Sequence, residues 1–211
     1  CYVIDQYGNI ELSYFADQYL MGTPSLANLD NDSDLEIVFG GYTSQGDVFA
    51  INHDGTNVNN FPVNINEKIL RGVAIYDVNN NGKDDIIVAT ENDKLIEIIY
   101  DNGDTQNLFT SNDKFKTAPS ILDNNGNIMV LAGDTGGHFY GINLDGTVIF
   151  DILTGNDIMS EPAFIEDNNE FSIFFGSEDG YLYGIDINGN SLDNWPKYIG
   201  NESVNSSPVF A

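Results

Sequence analysis

Short apolar runs recur along the whole chain and are separated by turns rich in Gly, Asn and Asp. The most apolar runs end in small residues and span 37–40, 86–89, 129–133 and 172–176. No segment shows the ~3.6-residue spacing of apolar positions that is typical of a helix. Short apolar runs bounded by turn residues are typical of β-strands. The pattern therefore predicts an all-β chain.

A glycine-containing hairpin turn recurs at intervals of 43 to 48 residues. The turn glycines are Gly8, Gly55, Gly103, Gly146 and Gly189. Asn-Gly or Asp-Gly between β-rich runs is the strongest short signal for a β-hairpin. A short opening strand precedes each apolar run, at 23–27, 72–76, 118–122 and 161–165, with a fifth copy at 207–210. A fourth strand is predicted after the turn glycine and includes Phe61 in one copy and Trp195 in another. The chain thus repeats a unit of four short strands.

This repeat predicts a β-propeller of four-stranded antiparallel blades, because one such sheet cannot cover both of its faces and must stack against its neighbours. We predict a single propeller region, 1–211, with four complete blades at about 23–71, 72–117, 118–160 and 161–206. Residues 1–22 would supply the last two strands of another blade, and residues 203–211 the first strand of a further one. The partial blades either close a small ring or belong to a larger propeller, and we favour the larger propeller.

Two loops between an opening strand and an apolar strand carry oxygen-bearing side chains at positions 1, 3, 5 and 9. In the loop 28–36, the predicted ligands are the side chains of Asn28, Asp30, Asp32 and Glu36 and the backbone carbonyl of Asp34. In the loop 77–85, they are the side chains of Asp77, Asn79, Asn81 and Asp85 and the backbone carbonyl of Lys83. An oxygen-only donor set in a flexible loop favours Ca²⁺ over Zn²⁺ or Mg²⁺. The sequence predicts two calcium sites, and the alternative is a pair of solvated Asp/Asn turns.

The corresponding loops of the last two blades, 123–127 and 166–170, lack an acid at position 9. We therefore predict shortened turns without a metal there.

The combination of acidic loop, apolar strand ending in Phe-Gly and Asn/Asp-Gly turn resembles the FG-GAP/VCBS repeats of integrin-α-like propellers. Ser33 replaces the loop glycine in the first copy, where Glu36 replaces the final Asp. The resemblance implies a calcium-bound propeller, usually extracellular, that serves in adhesion or recognition.

The composition adds a strong charge imbalance, with 33 Asp and Glu against seven Lys and Arg and a formal net charge of −26. Such a surface repels nucleic acid and anionic membranes, so we expect neither as a partner. No apolar stretch is long enough to span a membrane, and the lone Cys1 excludes a disulfide framework. A salty, calcium-containing medium outside the cell or at its surface fits this balance. Three N-glycosylation sequons occur, at Asn31, Asn201 and Asn205.

Catalytic motifs are weak in this sequence. It has no Gly-x-Ser-x-Gly elbow and no phosphate-binding loop, and its histidines, His53 and His138, are isolated and predicted to be surface residues.

The leading hypothesis is a non-enzymatic recognition, adhesion or scaffold module that binds a protein or a glycan. One alternative is the propeller part of a secreted enzyme, such as a polysaccharide lyase or a quinoprotein-like dehydrogenase. Another is a subunit that self-assembles when a neighbouring chain completes its terminal blade.

Overall fold

The computed structural model of the chain describes residues 1–30, 32–168 and 170–210. Within these residues, eighteen strands form five antiparallel sheets, four with four strands and one with two, and no residue is helical. The described part of the chain accordingly offers no helix that could cross a membrane. The prediction of an all-β chain built of four-stranded antiparallel units is confirmed.

The strands of each sheet follow one another in chain order. The N-terminal sheet consists of β1 (Tyr2–Ile4) and β2 (Ile10–Ser13). Blade 1 consists of β3 (Ser25–Ala27), β4 (Glu36–Gly40), β5 (Asp47–Ile51) and β6 (Val63–Asn64). Blade 2 consists of β7 (Ala74–Tyr76), β8 (Asp85–Ala89), β9 (Leu95–Ile99) and β10 (Thr105–Thr110). Blade 3 consists of β11 (Ser120–Asn124), β12 (Asn127–Gly133), β13 (His138–Asn143) and β14 (Val148–Leu153). Blade 4 consists of β15 (Ala163–Asp167), β16 (Glu170–Gly176), β17 (Tyr181–Asp186) and β18 (Lys197–Tyr198).

The sheets stack face to face, with an apolar layer between each pair of neighbours. Successive side chains of a strand point to opposite faces of its sheet. In β8, Ile86 and Val88 therefore pack towards blade 1, whereas Ile87 and Ala89 pack towards blade 3. This arrangement explains why the second strand of a blade is apolar at consecutive positions, since both of its faces are covered. Aromatic residues contribute buried rings to these layers, such as Phe139, which stacks on Phe175.

The opening strands of successive blades contact one another, β3 with β7 and β7 with β11. They therefore lie on the same side of the stack, as strands near the axis of a propeller do. The predicted hairpin turns are also confirmed, because all five turn glycines have φ between +82° and +87°. Glycine adopts this left-handed conformation without steric cost. Each turn joins the third and fourth strands of a blade, or β1 and β2.

A glycine at the end of the second strand allows close packing within a blade. A Cβ atom on Gly40 would lie 2.6 Å from Cβ of Ile69, and one on Gly133 would lie 2.2 Å from Cγ2 of Ile158. Ile69 and Ile158 each follow the fourth strand of their blade and are fully buried. These apolar runs therefore need a small residue at their end, because a buried apolar side chain occupies the space that a larger residue would take.

Two predictions about strands are wrong. The segment 207–210 does not form an opening strand. An opening strand is held by its ladder to the second strand, whereas this segment is fixed by side chains, with Phe210 against Phe174 and Ser207 bonded to Glu161. The segments around Phe61 and Trp195 were predicted within fourth strands, yet β6 and β18 begin only after the following proline. Proline has no N–H to donate to a ladder, so the strand starts beyond it.

Candidate metal centre

The loop between β3 and β4 brings three carboxylates together. One oxygen from each of Asp30, Asp32 and Glu36 lies within 4.8 Å of the other two. Backbone N–H groups hold the loop in this shape, because Asp32 donates to Oδ1 of Asp30 at 2.8 Å and Asp34 donates to Oδ1 of Asp32 at 2.7 Å. Carboxylates this close repel one another unless a cation lies among them.

Two polar groups of this first loop lack a full set of partners. Glu36 is only 1% exposed, and its Oε2 accepts the N–H of Leu29 at 2.7 Å. Burial raises the pKa of Glu36, and the charges of Asp30 and Asp32 raise it further. Oδ1 of Asn28 is buried and accepts no hydrogen bond from the residues that the structure describes. A cation would give this oxygen a partner and Glu36 a counter-charge, so the donor set fits a calcium ion.

The loop between β7 and β8 has its predicted ligands in a different setting. Asp85 is fully buried, and its carboxylate accepts two backbone N–H groups at 3.0 and 3.1 Å. Burial raises the pKa of Asp85, although these hydrogen bonds oppose the shift. Side-chain oxygens of Asp77, Asn79 and Asn81 each accept backbone N–H groups of the loop, at 2.8 to 3.0 Å. The second loop therefore has fewer carboxylates than the first and a more satisfied set of oxygens.

The two loops are joined directly, although they belong to different blades. The N–H of Asn28 donates to Oδ2 of Asp84 at 2.8 Å, and the N–H of Asp84 donates to the carbonyl of Asn28 at 2.7 Å. Asp84 occupies position 8 of its loop and was not predicted as a ligand. Its role is to fix the start of the first loop against the end of the second.

Each loop also contacts the hairpin turn of its own blade through position 7. Nζ of Lys83 lies 3.0 Å from Oδ2 of Asp101, and Oδ2 of Asp34 lies 3.0 Å from Nδ1 of His53. Asp101 and His53 both stand two residues before the turn glycine of their blade. Sequence reasoning missed these contacts. The signal that could have revealed them is a paired change of charge. Blade 1 has an acid in the loop and a histidine before the turn, whereas blade 2 has a lysine in the loop and an acid before the turn.

The shortened turns predicted for the last two blades agree with the structure where it describes them. In blade 3, Asn125 and Gly126 form a two-residue hairpin with φ values of +53° and +86°. Oδ1 of Asp123 accepts the N–H of Gly126 at 2.7 Å, so this acid serves the turn. In blade 4, Asn168 has φ of +53°, and Asn169 lies outside the described residues.

The sequons fall on two parts of the chain. Asn201 and Asn205 are exposed in the segment after β18. Asn31 lies outside the described residues. Glycan attachment at these three positions stays a prediction.

Comparisons with known proteins bear on the fold. No protein-family model matches the sequence, and no curated protein matches it. The chain is similar to BamB from Moraxella catarrhalis, with a TM-score of 0.70 and 18% identity over 95% of this chain and 58% of BamB. It is similar to BBS1N, solved in complex with ARL6DN, with a TM-score of 0.58 and 14% identity over 84% of this chain and 57% of that one. A third match is the V. cholerae biofilm matrix protein Bap1, with a TM-score of 0.51 and 14% identity over 85% of this chain and 39% of that one.

Identities this low show the fold alone. The chain spans between 39% and 58% of the length of these three proteins. BamB and BBS1N are propellers of four-stranded antiparallel sheets, as are the stacked blades described above. The resemblance to FG-GAP/VCBS repeats stays a prediction. The chain has a β-propeller fold.

Proposed function

We propose that this chain is a non-enzymatic, calcium-stabilised propeller that acts outside the cell as a recognition, adhesion or scaffold module. The observation that carries the calcium part is the first loop. There, three carboxylates lie within 4.8 Å of one another beside the buried Oδ1 of Asn28, which accepts no hydrogen bond within the described part of the chain. A plain solvated turn would leave that oxygen without a partner and the buried Glu36 without a counter-charge.

Each loop would hold the ion through side-chain oxygens and one backbone carbonyl. In the first loop these are the side chains of Asn28, Asp30, Asp32 and Glu36 and the carbonyl of Asp34. In the second loop they are the side chains of Asp77, Asn79, Asn81 and Asp85 and the carbonyl of Lys83. The ion supplies positive charge that offsets carboxylate repulsion, and the loops then keep one shape between the first two strands of their blades.

We expect the first loop to bind more tightly than the second. The number of ligand charges is one determinant of calcium affinity in such loops. The first loop brings three carboxylates together, whereas the predicted ligands of the second include two, and the ammonium of Lys83 lies close by at Asp101. Extracellular modules bind calcium at roughly 10⁻⁴–10⁻³ M.

The placement outside the cell follows from charge and metal supply. A net charge of −26 destabilises a compact chain through self-repulsion unless salt or bound cations reduce it. Weak calcium sites are filled only where the free ion is abundant. Rigid loops at the rim of the blades would then present the surface that a protein or glycan partner recognises. Among the similar structures, BBS1N is in a complex and Bap1 is a biofilm matrix protein, which is compatible with this role.

Thermal unfolding with calcium and with a chelator tests the proposal. At about tenfold excess over the dissociation constant, each site adds about 1.4 kcal/mol, which corresponds to a shift of roughly 3–6 °C per site in a chain of this size. Asp32→Ala should remove the contribution of the first site, because Asp32 is an exposed predicted ligand and its loss should leave the fold intact. Glu166→Ala is the matched control, since it removes one exposed acid from a blade without a predicted site. Equal melting temperatures with and without calcium would exclude calcium stabilisation.

The recognition part needs its own measurement. We expect the calcium-loaded protein to bind a member of a panel of extracellular proteins or glycans, and Asp32→Ala to weaken that binding. Turnover of an acidic polysaccharide would overturn the non-enzymatic assignment.

A further inference from the structure

One buried side-chain oxygen lies outside both predicted calcium loops. Among the residues that the structure describes, two buried side-chain oxygens accept no hydrogen bond, Oδ1 of Asn28 and Oδ1 of Asn52. Asn28 belongs to the first loop. Asn52 directly follows β5 and begins the hairpin turn 52–56 of blade 1. A buried amide oxygen without a partner is costly, so the position of this oxygen needs a physical cause.

The contacts of the turn determine which end of the Asn52 amide is buried. Nδ2 of Asn52 donates to Oγ1 of Thr56 at 2.9 Å, and the hydroxyl of Thr56 donates to Oδ1 of Asp54 at 2.6 Å. A hydroxyl has a single hydrogen to donate, so the oxygen of Thr56 can only accept from Asn52. Exchanging the oxygen and nitrogen of the amide would bring two acceptors together. The oxygen of Asn52 is therefore the buried end.

The hairpin turn does not use this oxygen. Asp186, like Asn52, stands three residues before the glycine of its turn, and its Oδ1 accepts two backbone N–H groups at 2.8 and 2.9 Å. In blade 1, Oδ1 of Asp54 accepts the N–H of Thr56 at 2.9 Å instead. The hydrogen bonds of the turn therefore do not explain the buried oxygen of Asn52.

Blade 3 provides an internal comparison, because its turn 143–147 has the same Asn-x-Asp-Gly-Thr sequence as the turn 52–56. The N–H of Thr147 donates to Oδ1 of Asp145 at 2.9 Å, as at the equivalent positions of blade 1. Within the described residues, however, Asn143 has no buried oxygen that lacks a partner. Blade 3 also has no predicted calcium site. The buried oxygen thus accompanies the acidic loop and not the sequence of the turn.

The strand ladder of blade 1 places Asn52 beside the first loop. Ile37 in β4 pairs with Ile51 in β5, so the next step of this register puts Asn52 opposite Glu36. Residues directly opposite in antiparallel strands point to the same face of the sheet, with Cβ atoms roughly 4.5–5.5 Å apart. The register therefore brings Asn52 next to the ligand predicted at position 9.

The residue after Asn52 is also in contact with this loop. Nδ1 of His53 lies 3.0 Å from Oδ2 of Asp34, at position 7. Glu36, at position 9, is 1% exposed, and its Oε2 accepts the N–H of Leu29 at 2.7 Å. A buried amide oxygen and a buried carboxylate thus share one end of blade 1. Both gain from a cation that lies between them.

We propose that Oδ1 of Asn52 is a further ligand of the calcium ion in the first loop, so that this site is built from two connections of blade 1. The inference rests on the calcium site proposed above and adds one ligand to it. Calcium accepts about 6–8 oxygens in a flexible geometry, Asn amide oxygens among them, whereas Mg²⁺ requires a near-ideal octahedron. A ligand added from a separate connection therefore favours Ca²⁺ over Mg²⁺.

Calorimetry in an Asp77→Ala background tests the ligand, because only the first site is expected to bind calcium there. Asn52→Ala should weaken calcium binding by at least about tenfold, since residues that merely support a metal ligand are often worth roughly 10–100-fold in affinity. Magnesium binding should change less. Asn143→Ala in the same background is the matched control, because it removes the same side chain from the same turn sequence in a blade without a predicted site.

Terbium luminescence in the same background distinguishes a ligand from a residue that only supports the loop. Terbium substitutes for calcium, and the difference between its decay rates in H₂O and D₂O counts the water molecules bound to the ion. Asn52→Ala should add one water molecule, because water takes the place of the lost oxygen. Asn143→Ala should leave the count unchanged. Circular dichroism identifies variants that fold, and Asn52→Ser replaces Asn52→Ala if the latter does not.

The outcomes separate this inference from the calcium site on which it rests. Unchanged calcium affinity, or an unchanged water count, in Asn52→Ala overturns the inference and leaves the calcium site standing. An equal loss of affinity in Asn143→Ala also overturns it, because the effect would then belong to the turn. Absence of calcium binding in the Asp77→Ala background overturns the first calcium site itself, and the inference with it.

Discussion

Gly133 ends the second strand of blade 3 directly beneath Ile158, and the stack has no space there for a larger residue. A Cβ atom at this position would lie 2.2 Å from Cγ2 of Ile158, which is fully buried. Equivalent contacts join Gly40 to Ile69 in blade 1 and Gly176 to Val204 in blade 4. At the residue scale, one missing side chain thus lets the segment after the fourth strand close over the sheet.

Gly133→Ala should destabilise the protein by about 1–3 kcal/mol, because the added methyl group forces Ile158 out of a packed layer. Urea unfolding followed by circular dichroism measures this change. Gly200→Ala is the matched control, since no atom lies within 4 Å of the added Cβ atom and the backbone imposes no positive φ. An equal effect of the two substitutions would show that lost glycine flexibility, and not crowding, is responsible.

His138 is a second residue whose contacts have a measurable consequence. Its Nδ1 lies 2.6 Å from Oδ1 of Asp151, and its ring stacks on Tyr140. The hydrogen bond with Asp151 raises the pKa of His138 above its ordinary value of 6.5. Because the folded pKa is raised, the stabilisation is complete below pH 6.5 and is lost as the pH rises through the folded pKa.

Asp151→Asn should lower the pKa of His138 and flatten the decrease in stability with rising pH. Both side chains are about one third exposed or more, so the contribution is below about 1 kcal/mol. An NMR titration of the His138 ring measures the pKa directly. An unchanged titration curve in Asp151→Asn would show that another group sets it.

At the scale of elements, the blades follow from local sequence patterns more closely than the loops between them do. The turn glycines and the alternation of apolar positions are local signals, and they predicted the four-stranded units and the five hairpins. The fourth strands of blades 1 and 4 were placed too early, since Pro62 and Pro196 delay the ladder. The segment 207–210 carries the opening-strand pattern, yet a strand also needs a ladder partner, which a local pattern does not provide.

The candidate site was predictable in its ligands and not in its surroundings. Spacing alone located the three carboxylates that the structure brings together. The bonds between Asn28 and Asp84 depend on how blade 2 packs against blade 1, and no local spacing encodes that. The same holds for the contacts of Asp34 with His53 and of Lys83 with Asp101. Each joins the loop between the first two strands of a blade to the hairpin turn between its last two strands.

Asp84 is not a predicted calcium ligand, yet it joins the second loop to the first. Asp84→Ala removes the carboxylate that accepts the N–H of Asn28 and leaves the backbone bond from residue 84 to the carbonyl of Asn28 in place, so the first site should bind calcium roughly fivefold more weakly, for a loss of about 1 kcal/mol. The measurement is calorimetry in an Asp77→Ala background, where only the first site is expected to bind. Glu166→Ala in the same background is the control. Unchanged affinity after Asp84→Ala would show that the loops act independently.

At the scale of the whole molecule, three complete apolar layers between blades stabilise the fold, and the proposed calcium ions would reduce an excess of negative charge. The layers are apolar, and each contains fully buried residues, such as Val88 in the first, Val130 in the second and Phe175 in the third. Seven of the 33 acids lie in the two predicted calcium loops, 28–36 and 77–85. We therefore propose that calcium is part of the fold of blades 1 and 2 and not of blades 3 and 4.

The number of calcium ions bound per chain tests this most directly. Equilibrium dialysis against millimolar calcium, with metal analysis of the protein, should give two ions for the wild type and one for either Asp32→Ala or Asp77→Ala. It should give none for the double variant. Binding of no calcium by the wild type, or the same stoichiometry in the double variant, would contradict the account.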